Sequence, residues 1–262
     1  MSTEIVTSVD GRVATVEINR PQTLNAIDLS MRADLLAAFE DLARSPDIGA
    51  VVLTGAGNAF SSGADLKSAA SYPDTSVRRT ARSLLHHIQP LIECLTRMDK
   101  PVIAAVNGAA VGIGMSLALA CDLLVMSDKA YFLSPFTGIG LVPDGGAAWF
   151  LTRRIGYARA FELLAEGHKV TASRCLELGL ANRVVEASTL RDTAMRWAAE
   201  LTQRPPIAMA LTKRITRMSL TVGLSEILTM EAEMQTFCAC TEDAREAIAA
   251  FSEKRAPAFK GR

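Results

Sequence analysis

Two stretches of the chain set glycine-rich loops directly after apolar runs. AVVLTG (50–55) leads into AFSSGADLK (59–67), and PVIAAVNG (101–108) leads into GAAVGIGMSL (108–117). Each reads as a buried strand closing at a glycine, then a loop, then the start of a helix. Amides at a helix start lack an intrahelical acceptor, and the helix dipole adds partial positive charge there. Such loops stabilise an anion or a developing oxyanion, and their missing side chains let a ligand approach the backbone. A third stretch, FTGIGLVPDGGAAWFLTRRIG (136–156), holds one acid, Asp144, between Pro143 and Gly145-Gly146. Where apolar neighbours such as Leu141, Val142, Trp149 and Phe150 surround a carboxyl, its pKa rises. The helix-start dipole acts in the opposite sense. Asp before glycines is also a common helix N-cap, and glycine clusters also serve tight strand–helix packing.

Several other chemistries are excluded or weakly supported. There is no GxxxxGK[ST] run, so a P-loop is absent. Gly112-Ile113-Gly114 opens a GxGxxG pattern that fails at Leu117, and Gly138-Ile139-Gly140 opens one that fails at Pro143. No GxSxG elbow is present, and no His/Cys/Asp cluster has metal-ligand spacing. His86 and His87 fall on an amphipathic helical stretch, and His168 follows Gly167 at a helix end. With 28 basic and 28 acidic residues, nothing electrostatic favours a nucleic-acid or membrane-surface partner. The five cysteines are scattered without CxxC spacing and read as reduced thiols. The N-terminus shows no basic n-region or apolar h-region, and the expectation is a cytoplasmic protein. Val102–Met126, the most apolar region, is interrupted by Asn107, Ser116, Asp122 and the glycines, so it reads as strand and helix rather than a span of about 20 apolar residues.

The elements that must position these loops alternate. Asp10-Gly11 marks a hairpin, and Leu29–Ala43 has helical periodicity with Asp28 as N-cap. Residues 75–98 read as a helix kinked near Pro90. CDLLVMS (121–127), AYFLS (130–134) and ANRVVE (181–186) read as strands, and most of the rest beyond 146 as helix. The pattern predicts an α/β core over residues 1–203 and an all-helical segment over 204–262, starting at Arg204-Pro205-Pro206. The Met-rich stretch Leu224–Phe237 reads as core in preference to a subunit interface.

NRPQTLNAI (19–27), AFSSGADLK (59–67) and KPVIAAVNGAAVGIGMSLALACD (100–122), with LELGLANRVV (176–185) and AFSEKRAPAFKG (250–261), together resemble the crotonase superfamily, the enoyl-CoA hydratase/isomerase family. The similarity spans essentially the whole chain. It implies a spiral of ββα units with a C-terminal helical segment, a homotrimer or dimer of trimers, and an acyl-CoA thioester substrate. CoA enters as part of that substrate, and no metal or redox cofactor is implied. The family's two oxyanion-hole amides fall on Ala64, after Gly63, and on Ile113, between Gly112 and Gly114. Positions lining CoA fall on Asn25, Ala26, Ser62 and Lys67, with Phe251 and Lys254 near the adenine. The glycines would thus make room for a thioester carbonyl.

The two glutamates of the hydratase-like members correspond here to Ser116 and Phe136, neither of which is an acid. The Pro-Asp-Gly-Gly segment resembles instead the branches that move a double bond in acyl-CoA, including a ring-isomerising one, which use an acid at the position of Asp144. The resemblance therefore implies an enoyl-CoA isomerase with Asp144 as acid–base. Hydratase or lyase activity through Asp144 is the alternative, and a catalytically silent acyl-CoA-binding protein is the alternative of another class. Turnover across a panel of enoyl-CoAs separates these readings.

Overall fold

The Asp10-Gly11 hairpin forms as expected: β1 (Ile5–Asp10) and β2 (Val13–Ile18) pair antiparallel, from Ile5 opposite Ile18 to Asp10 opposite Val13. In the computed structural model, which describes residues 3–65 and 81–262, this hairpin edges a six-stranded sheet. The sheet continues through β3 (Ala50–Gly55), β5 (Val102–Val106), β7 (Leu123–Ser127) and β10 (Arg183–Val185), all parallel to β2. The side chains of β3, β5 and β7 are almost continuously buried, as parallel strands covered on both faces require, while the edge strand β10 is partly exposed.

A second sheet is built from shorter pieces, β4 (Ala59–Ser61), β6 (Ala109–Val111), β8 (Tyr131–Leu133) and β9 (Val170–Thr171), in that spatial order. A long strand enters the first sheet and a short one follows in the second: β3 then β4, β5 then β6, β7 then β8. Each pair leads toward a helix before the next pair begins. This is the expected ββα spiral. The sequence reads β4 and β6 as loop and β9 as part of a helical stretch, because two or three residues carry no readable alternation.

Helix α1 (Leu29–Arg44) starts where Asp28 Oδ1 accepts from the Met31 amide at 3.0 Å, and it buries Met31, Leu35, Phe39 and Leu42. The described part of the next helical stretch begins at residue 81 and passes through a π-helical turn, Leu84–Ile88, before α2 (Gln89–Arg97). Pro90 has no N–H for the carbonyl four residues back, and the Gln89 amide reaches Leu84 O instead. The predicted irregularity is therefore a widened turn just ahead of the proline. Helix α3 (Ile113–Ala120) is buried over its whole length. Helices α4 (Ala147–Ile155), α5 (Tyr157–Glu166) and α6 (Ala172–Glu177) follow. Then α7 (Leu190–Thr202) covers the opposite face of the large sheet, setting Leu190, Ala194 and Ala198 against Val52, Ile103 and Val125.

The chain ends in α8 (Pro206–Met218), α9 (Leu224–Ala239) and α10 (Glu242–Glu253). Helix α8 is tied to the core by a half-buried charge cluster. Lys213 Nζ and Arg217 Nη2 each lie 2.7 Å from an Asp122 oxygen. The same two cations donate to the carbonyls of Leu95, Lys100 and Ala120. Arg154 caps α3 through Leu119 O and Cys121 O. Helix α9 overturns one expectation. Only Ile227 is buried, and Leu224, Leu228 and Phe237 face outward, because α9 packs mainly against its helical neighbours α8 and α10. Among the described residues, no helix is long and apolar enough to cross a membrane.

Candidate active site

The site begins with β4 and β6 lying parallel, Ala59 beside Ala109 and Ser61 beside Ala110. That pairing presses the two glycine loops together. A Cβ on Gly114 would come within 2.7 Å of Ser61 O, and one on Gly63 within 2.8 Å of Val111 O. The glycines thus let the two loops touch each other. Gly112, at φ 53° and ψ −120°, turns the chain from β6 into α3 through a conformation side chains disfavour.

Both expected oxyanion-hole amides are left over by this architecture. Ala64 forms a parallel bridge with Ile27, but the bonds are made by its neighbours: Ile27 N donates to Gly63 O at 2.8 Å, and Asp65 N to Ile27 O at 3.0 Å. In such a bridge the middle residue turns its own N–H to the other side. Ile113 is the first residue of α3, where an amide has no intrahelical acceptor, and the adjoining Gly112 N is already used by Leu133 O at 2.9 Å. Neither the Ala64 nor the Ile113 amide donates to any acceptor among the described residues. The glycines beside them bring the two segments into contact: a Cβ on Gly63 would sit 3.9 Å from Gly112 Cα.

Asp144 is carried to the same place by Gly145. A Cβ on Gly145 would fall 2.5 Å from Ile113 Cδ1 and 2.7 Å from Ser116 Cβ, so the Asp144–Gly145 backbone rests directly on the first turn of α3. Ser116, fully buried, donates from Oγ to the Asp144 carbonyl at 2.8 Å. The Asp144 side chain is not a helix cap, since Gly146 occupies the N-cap position of α4 and no side chain caps that helix. Its Oδ1 is buried without a hydrogen-bond partner. Burial pushes this carboxyl above the usual aspartate range, and the Arg32 guanidinium draws it partly back. The surround differs from the expected one: Leu141, Val142 and Trp149 are exposed, and only Phe150 is buried.

Arg32 was not anticipated. On an amphipathic helix a single arginine reads as a solvated side chain, and nothing in MRADLL marks it otherwise. It stands one residue after the buried Met31, donates from Nη1 to Ser83 Oγ at 2.7 Å, and keeps a buried Nε without a partner. Burial lowers its pKa, against the attraction of Asp144 and Asp28.

Phe136 is buried, and its ring lies 3.5 Å from where a Gly112 Cβ would be. Ser116 and Phe136 therefore both adjoin the Ile113 turn, without offering a carboxylate. The other expected binding residues are placed unevenly. Asn25 is fully buried, its Nδ2 donating to Ala56 O and Ala59 O and its Oδ1 accepting from Arg20 N, so its side chain builds the loop and has no ligand-facing donor left. Ala26 is also buried, and Ser62 Oγ donates to Thr23 O at 3.1 Å. Lys67 lies outside the described residues. Phe251, 86% exposed, and Lys254, the C-cap of α10, sit on a helix that packs chiefly on α9, so the single chain does not bring them to the two loops.

The chain is similar to known proteins along nearly its full length. The profile of the family described as enoyl-CoA hydratase/isomerase matches residues 8–262. The chain is 35% identical to 1,2-epoxyphenylacetyl-CoA isomerase of Escherichia coli K12, with 98% of each chain covered. It is 37% identical to a Rhodobacter capsulatus protein named "Probable enoyl-CoA hydratase", with 95% of each covered. The crystal structure of an enoyl-CoA hydratase from Bacillus anthracis superposes with a TM-score of 0.94 at 30% identity, covering 99% of this chain and 100% of that one. With an α/β core of ββα turns, two unpaired amides on adjoining glycine loops and similarity along nearly its full length, this chain belongs to the enoyl-CoA hydratase/isomerase family.

Proposed function

We propose that the protein shifts the double bond of an enoyl-CoA, with Asp144 as the acid–base and the Ala64 and Ile113 amides as the oxyanion hole. The observation that carries this reading is Asp144 Oδ1, buried and unpartnered on a segment seated against Ile113 and Ser116. In its ionised form this carboxylate takes a proton from the α-carbon. The resulting dienolate places its charge on the thioester oxygen, where two fixed N–H donors stabilise it, each worth about 3–4 kcal/mol. The protonated Asp144 then returns the proton to the γ-carbon, so one acid suffices and the net proton count is unchanged. No metal or redox cofactor takes part, and CoA is the substrate's handle.

Hydration is the less supported reading, because Ser116 and Phe136 supply no carboxylate to activate and deliver water. The names of similar proteins include both activities. The deciding experiment offers α,β- and β,γ-unsaturated acyl-CoAs, including an aryl-acetyl type, and identifies the products. Interconversion of double-bond isomers without net hydration, lost in Asp144→Asn with CoA-ester binding retained, is the expected result. Full activity of that variant removes Asp144 from the mechanism, and binding without turnover by the intact protein indicates a silent member.

The working unit we propose is a trimer or dimer of trimers. The outward-facing apolar residues Leu224, Leu228 and Phe237 of α9, with Ile248 and Phe251 of α10, support it. Phe251 and Lys254 would then serve CoA only through such an assembly.

A further inference from the structure

Arg32 Nε and Asp144 Oδ1 are both buried, both unpartnered, and belong to side chains whose charges attract each other, yet the two do not form an ion pair among the described residues. An unused buried donor and an unused buried acceptor are each costly unless a ligand completes them. The rest of the Arg32 environment does not do so. Its Nη1 is held by Ser83, while Asp28, the other nearby acid, caps Met31 and lies 3.7 Å from Arg20.

We propose that Arg32 is a specificity-determining residue that donates a hydrogen bond to a neutral oxygen, a hydroxyl or carbonyl, on the acyl group of the CoA thioester at or beyond the β-carbon. The inference rests on the reading that Asp144 faces the reacting carbons, since that is what sets the acyl chain beside Arg32. A neutral oxygen fits better than a carboxylate. Arg32 and Asp144 together carry no net charge, and an added anion would face Asp144 in a poorly solvated space. A hydroxyl would accept from Arg32 and donate to Asp144, completing both groups, whereas a carbonyl would complete Arg32 alone. An all-hydrocarbon chain leaves both unpaired, and sites built around a polar group discriminate against analogues that lack it.

The test uses three saturated thioesters of equal chain length, pentanoyl-CoA, 3-hydroxypentanoyl-CoA and 4-oxopentanoyl-CoA. Binding is measured by titration calorimetry, with the ligands shown intact afterwards by chromatography. The intact protein is expected to bind at least one oxygenated ester about tenfold more tightly than pentanoyl-CoA. Arg32→Met is expected to lose that preference and leave the affinity for pentanoyl-CoA within about twofold. If Arg32→Met does not fold, Arg32→Gln is read in the same way. Equal affinities for all three esters in the intact protein, or an undiminished preference in the variant, overturn the proposal. Because binding is read without turnover, persistence of isomerisation in Asp144→Asn would reject the mechanism above while leaving an Arg32-dependent preference standing.

Discussion

The Ser116 hydroxyl donates to the main-chain carbonyl of Asp144 at 2.8 Å, joining the helix that begins at Ile113 to the segment that carries Asp144. This bond and the Gly145 contact seat the Asp144 segment on the first turn of α3. In the proposed mechanism, Ser116 would then be a positioning residue for Asp144.

Ser116→Ala removes one hydrogen bond, worth about 1 kcal/mol of stability. The Asp144 carbonyl keeps its bond from the Ala147 amide, at 3.2 Å, so the protein is expected to fold. With the acid less firmly placed, kcat is expected to fall roughly 10- to 100-fold while KM stays nearly constant. Steady-state kinetics on the preferred enoyl-CoA checks the split. An equal loss in kcat/KM carried by KM alone would show that Ser116 serves binding instead.

Ser116→Glu is expected not to create a hydratase. The space beside Ser116 Cβ is filled by Gly145, and a larger side chain must lift the Asp144 segment off α3. The expected outcome is loss of isomerisation with no gain in hydration, read from product analysis. Gly145→Ala acts on the same contact from the other side. It places a Cβ 2.5 Å from Ile113 Cδ1 and forces alanine into φ +59°, which alone costs about 1–2 kcal/mol.

The raised Asp144 carboxyl has two consequences with definite sign. As the base it must be ionised, so the acid limb of the kcat/KM profile is expected above the ordinary aspartate range. For stability, the folded state holds this proton more tightly than the unfolded chain. The contribution is full below the unfolded pKa and is lost as pH rises through the folded one. Asp144→Asn is therefore expected to melt higher than the parent at neutral pH, with the difference shrinking as pH falls below about 4. Thermal unfolding at both pH values checks it, and a destabilised variant at neutral pH would contradict it.

Asp122 joins Lys213 and Arg217, which have side-chain exposures of 9% and 21%. Asp122→Asn leaves both cations without their carboxylate and is expected to cost about 3 kcal/mol. The loss is read as a lowered Tm, with kcat below the transition essentially intact because the cluster lies on α8 and the end of α3. A separate measurement bears on the helices beyond it. Light scattering after size exclusion is expected to find an assembly of three or six chains, and Leu228→Glu to dissociate it.

Much of the scaffold was legible in the sequence because the signals are local. Asp10-Gly11 dictates a turn, Asp28 a helix start, and continuous apolar runs such as AVVLTG and VIAAV dictate buried strands wherever they occur in space. The resemblance assigns the two amides to Ala64 and Ile113, and the absence of acids at Ser116 and Phe136 is visible directly.

Tertiary structure alone decided the rest. Strands of two or three residues, such as β4 and β6, exist only because a partner lies alongside, so no periodicity announces them. That the glycines also seat one loop on the other, Gly63 against Val111 and Gly114 against Ser61, shows only in space. The α9 residues Leu224, Leu228 and Phe237 read as core in sequence, and the structure leaves them exposed. Arg32 and Asp144 lie 112 positions apart, yet each is perturbed by burial and each feels the other's charge. A sequence records which charges and amides a chain possesses. Which of them lose water and remain unpaired depends on long-range packing, and that is where the chemistry of this site arises.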